Sequence, residues 1–141
     1  MRTPSIFLLW SCLGLFLCRV LGQVEVLLVA PQWLPAMAGW YSGLLPYPVL
    51  LPVQIVLLMG MTAIAWDRSF GPGLTEIARP RLRAWLRSFA IVYFAAMAIR
   101  FAVQGMRFGR EFYLHGAIPV AFHWVLALFL LTLGEQRRVR A

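Results

Sequence analysis

Lysine is missing from this sequence: all thirteen basic residues are arginine, a bias we read as genomic composition before function. Acid is scarce as well, with five Asp and Glu against those thirteen, and charged residues make up only 13% of the 141. A soluble domain carries about 25%, so a conventional solvated surface is excluded. Cysteine is limited to Cys12 and Cys18. On one helix their Cα atoms would stand roughly 9 Å apart, too far for a disulfide, and they offer no metal site. H-E-x-x-H, a Ser-His-Asp pattern, a nucleotide loop and a carboxylate cluster are all lacking. No residue set nominates an enzyme, and no cofactor is expected.

What is present is apolar: 62% of residues are hydrophobic, gathered into long runs separated by short arginine-bearing segments. This is the pattern of membrane-spanning helices, each of about 20 residues. It predicts an all-α, four-span bundle forming a single membrane domain over residues 1–141, with spans at about 5–29, 49–66, 85–104 and 115–133. The first run starts like a signal peptide, but no small-x-small cleavage site follows, and it is expected to remain as a helix. Pro31 closes it. The uncharged linker from Gln32 to Pro48 carries Trp33, Trp40, Tyr41 and Tyr47 among prolines, which suits the headgroup region.

Counting arginines orients the chain. With both termini in the cytoplasm, Arg2, Arg68, Arg79, Arg81, Arg83, Arg87, Arg137, Arg138 and Arg140 fall inside, and only Arg107 and Arg110 fall in outer loops. That bias follows the positive-inside rule and predicts a multi-pass protein of the inner (cytoplasmic) membrane. The net charge of +8 is therefore assigned to the lipid bilayer and its anionic headgroups, not to nucleic acid.

The polar residues inside the spans are the candidate site: Arg19, Glu25, Gln54, Arg100 and His123. Counted from the outer ends of the spans, Glu25, Arg100 and Gln54 lie roughly 6 to 8 Å down, and Arg19 and His123 roughly 12 to 15 Å down. Charges in hydrocarbon demand partners, so Glu25 is expected to pair with Arg100, which shares a face with Tyr93, Met97, Gln104 and Arg107. Arg19 has no acid at its depth. It is expected to face the bundle interior near His123, with a neutral His123, Gln23, backbone carbonyls or a group supplied by another subunit or ligand as acceptor. Gly14, Cys18 and Gly22, continued by Glu25, form a small-residue stripe suited to close helix approach. His115 and His123 are eight residues apart on one helix, roughly 12 Å, so they cannot both ligate one haem within a monomer. His123 is expected to bond a neighbouring helix.

The stretches "YFAAMAIRF" and "IPVAFHWVLALFLLTLGEQRR" resemble a family of small bacterial four-helix integral membrane proteins that has no characterised activity. The resemblance covers mainly the C-terminal half and implies the fold alone. Four spans with one first-helix glutamate, Glu25, are also similar to small multidrug transporters, but Arg19 and the aromatic, proline-rich first loop depart from that pattern. Three functions follow in order. The first is an accessory or assembly subunit of a membrane complex, with a membrane protein or further copies of itself as partner. The alternative is a small oligomeric transporter with its polar site in the outer half of the bundle. The third is a haem-binding electron carrier through His123.

Overall fold

The computed structural model describes residues 3–34, 36, 40, 46–75, 79–115 and 117–135. Arg2, Tyr41, Arg137, Arg138 and Arg140 lie outside the described residues, as does the side chain of His115. The elements in chain order are α1 (Thr3–Leu28), α2 (Tyr47–Phe70), α3 (Pro80–Phe108), α4 (Arg110–His115) and α5 (Ala117–Glu135). Four of them, α1, α2, α3 and α5, are long and apolar enough to cross a membrane. The described residues contain helices and no strands.

The helices outrun the apolar spans expected from the sequence. Hydropathy marks where side chains favour lipid, whereas the backbone ladder continues until something interrupts it. α2 runs on through Asp67 and Arg68, which had been expected just beyond it, and Gly71 N–H closes it on the carbonyl of Asp67. α3 begins at Pro80, whose fixed φ suits a first helical position, and continues to Phe108. Its stop is Gly109 at φ 53°, a left-handed conformation that favours glycine. The stretch expected as a loop after Gln104 is therefore the last turn of α3 followed by the short α4.

Packing follows the spacing of side chains on α1. Leu9, Cys12, Leu13, Phe16 and Val20 recur every three or four residues and form one buried stripe with Met61 and Ala65 of α2 and Phe129 and Leu133 of α5. Trp10 Nε1 donates to Ser69 Oγ at 2.8 Å, which sets the start of α1 beside the end of α2. α5 packs on both α1 and α3, and α2 packs on α1. The principal contacts thus order the helices α2–α1–α5–α3. Close to its end, α5 crosses α3 at Gly134. A Cβ there would lie 3.1 Å from the backbone nitrogen of Arg87 and 3.3 Å from the carbonyl oxygen of Arg83. α5 is thus antiparallel to both α1 and α3, and those two run in the same direction.

Asp67 organises the turn after α2. Its carboxylate accepts from Gly73 N at 3.1 Å and from Thr75 N and Thr75 Oγ1 at 2.7 Å each. Arg68 donates to the Thr75 carbonyl at 2.9 Å.

Candidate functional site

The sequence predicts a buried arginine on α1, and the structure buries it. Arg19 is 7% exposed and sits on the same stripe as Phe16, Val20 and Gln23. Guanidinium donates and never accepts, so its surroundings must supply oxygens. Nη2 donates to the backbone carbonyl of Trp40 at 2.9 Å and Nη1 donates to Gln23 Oε1 at 3.3 Å. The guanidinium carbon lies 5.5 Å from the centroid of the Phe122 ring on α5, within cation–π range.

Arginine's one-way chemistry orients the next two side chains. Gln23 must turn its oxygen toward Arg19, and the same oxygen accepts from Gln54 Nε2 of α2 at 3.0 Å. Gln23 and Gln54 are 0% and 3% exposed, so this chain of amides links α1 to α2 in the buried interior. Hydrogen bonds to a charged group contribute about 1.5 to 3 kcal/mol each. Three polar atoms of the cluster, Arg19 Nε, Gln23 Nε2 and Gln54 Oε1, are buried with no hydrogen-bond partner among the described residues.

Trp40 is the participant that sequence reasoning missed. The linker was expected at the headgroup boundary, and Trp33 is indeed 73% exposed, but Trp40 is 6% exposed. Its ring lies on Gly22, where a Cβ would come within 2.6 Å of Trp40 Cη2. Glycine at that position makes room for the ring one turn above Arg19, and Arg19 then holds the same residue by its carbonyl. The pair clasps the linker to the bundle.

Two further expectations are corrected. The small-residue stripe does not bring another helix of this chain close: a Cβ on Gly14 would meet nothing within 4 Å, Cys18 is exposed, and Gly22 serves Trp40. The stripe fails because the buried face of α1 is the one bearing Leu9, Phe16, Val20 and Gln23. Glu25 and Arg100 do not pair either. Glu25 is exposed on α1 and Arg100 is half-buried on α3, and α5 stands between those helices.

His123 does bond a neighbouring helix. Its Nδ1 meets the hydroxyl of Tyr93 on α3, and the two rings sit edge to face at 5.8 Å. Arg19 of α1 and Arg100 of α3 both act electrostatically on His123. The expected contact between Arg19 and α5 is therefore made through Phe122, one residue away from His123. Of the five predicted residues, Arg19 and Gln54 share one cluster through Gln23, His123 and Arg100 form a second group with Tyr93, and Glu25 joins neither. Among the described residues no group of His, Cys, Asp and Glu is placed to hold a metal. Comparison of the chain with protein-family models, with curated proteins and with solved structures gave no match.

Proposed function

We propose that the protein is a non-enzymatic subunit of a membrane complex, acting in an accessory or assembly role in the inner (cytoplasmic) membrane, with both termini in the cytoplasm. The observation that carries this reading is α3. Only 6% of its most apolar 18-residue window is buried within the chain, yet it holds Arg100 at membrane depth with no hydrogen bond or ion pair among the described residues. A charge held within the hydrocarbon without a partner is costly, and a protein neighbour offsets that cost. The polar cluster supports the same reading: Arg19 is engaged by the chain's own Gln23, Trp40 carbonyl and Phe122, which fastens the linker. Affinity purification from native membranes at native expression tests the proposal. A second protein in stoichiometric amount is the expected result, and a monodisperse chain with no companion would defeat it.

One observation favours a transporter as the second reading. Arg19 Nε, Gln23 Nε2 and Gln54 Oε1 remain unpartnered inside the bundle, and such atoms suit a passing polar solute. On that reading Gln54→Ala abolishes solute uptake into vesicles while abundance stays at the wild-type level. Loss of abundance instead assigns the cluster to structure.

A further inference from the structure

The two charges that fail to meet inside one chain are placed to meet between two. α5 provides a common ruler for α1 and α3, since Arg19 of α1 packs on Phe122 and Tyr93 of α3 bonds the adjacent His123. Arg19 and Tyr93 therefore stand at about the same level. Both helices run the same way from there. Glu25 lies six residues beyond Arg19 and Arg100 seven beyond Tyr93, which raises them by roughly 9 and 10.5 Å at the helical rise. The carboxylate and the guanidinium thus fall in the same part of the membrane, within about one helical turn of each other.

Among the described residues neither has a hydrogen-bond or ion-pair partner. Glu25 is exposed, and Arg100 is half-buried at the seam of α3 and α5. α5 separates them within the chain. Below Glu25 the face of α1 is low at Gly14, which has open space around its Cβ position, and Cys18 is exposed; at Gly22 the Trp40 ring covers it. Small residues let a second helix approach closely in lipid.

We infer that a second copy of this chain docks here, setting its α3 along the Gly14–Cys18 face of α1 so that Arg100 of one copy meets Glu25 of the other. Charge complementarity at similar depth selects the occupant. Copies inserted with the same orientation carry α1 and α3 parallel, so the two charges come to within about one helical turn along the membrane normal, which their long side chains span. The inference goes beyond the subunit role and draws on the same Arg100 that supports it; the two are told apart because self-association is measured on the purified chain with no other protein present.

The test is a charge swap read by single-molecule photobleaching of the full chain in liposomes of phosphatidylcholine and phosphatidylglycerol. Glu25→Arg and Arg100→Glu should each weaken dimerisation about tenfold or more, the effect of stranding one charge of a buried pair. The double variant, with the charges exchanged, should return to within about threefold of wild type, since coupled pairs recover what single changes lose. A second measurement does not depend on those variants folding. Two populations lacking Cys12 and Cys18, one carrying Glu25→Cys and the other Arg100→Cys, should give a disulfide-linked dimer on oxidation when mixed. A monomeric wild type, single variants that dimerise like wild type, a swap that fails to restore association, or mixed cysteine chains that do not cross-link would each overturn the inference.

Discussion

At the scale of single residues, the account turns on which face of α1 carries chemistry. Gly14 and Gly22 look alike in the sequence, and both fit a small-residue stripe. The structure separates them: one has open space at its Cβ position, and the other is covered by the Trp40 ring. Gly22→Ala should therefore lower unfolding stability in detergent by about 1 to 3 kcal/mol, the usual cost of overpacking, and change the tryptophan emission. Gly14→Ala should leave both within error. The glutamines rank in the same way. Gln23 accepts from Arg19 and Gln54 at once, so Gln23→Leu strands two buried donors at about 1 to 3 kcal/mol each, and more for the charged one. Gln54→Leu removes a single donor and should cost less. Thermal denaturation of the two variants side by side checks the order. The burial of Arg19 was legible because a charge in an apolar run has few places to go. Its acceptor on Trp40 was not, since nothing in an uncharged aromatic linker distinguishes a carbonyl that enters the bundle from one that faces the headgroups.

At the scale of elements, the four long helices could be read from apolar runs alone, and their ends could not. α2 and α3 extend past the residues where hydropathy falls, because helix propagation needs only a continuing backbone ladder. Their packing order was equally hidden. Long apolar runs have no clear inner face, so the sequence could not say that α5 would lie between α1 and α3, and the expected pairing of Glu25 with Arg100 failed for that reason. The crossing of α5 over α3 depends on one glycine. Gly134→Ala places a methyl 3.1 Å from backbone nitrogen of Arg87, an atom that cannot move aside as a side chain end can. We expect a loss of about 1 to 3 kcal/mol, seen as a lower Tm and as weaker quenching between Tyr93 and Trp124 of α5.

At the scale of the whole molecule, the chain folds around α1 and α5 and leaves α3 largely uncovered. Reporter fusions at Ala141 and in the 69–79 turn should both report cytoplasm, as the arginine distribution requires; a signal from the opposite side at either point would invert the topology. The claim that this protein serves as a subunit rests on what covers α3, and photo-cross-linking in native membranes addresses it directly. Val92 and Ile99 are 66% and 65% exposed and stand seven residues apart on one face of α3. A benzophenone side chain at either position, irradiated at native expression, should capture a distinct membrane protein, with adducts at both positions of the same mass. Adducts to lipid alone from both positions would contradict the account.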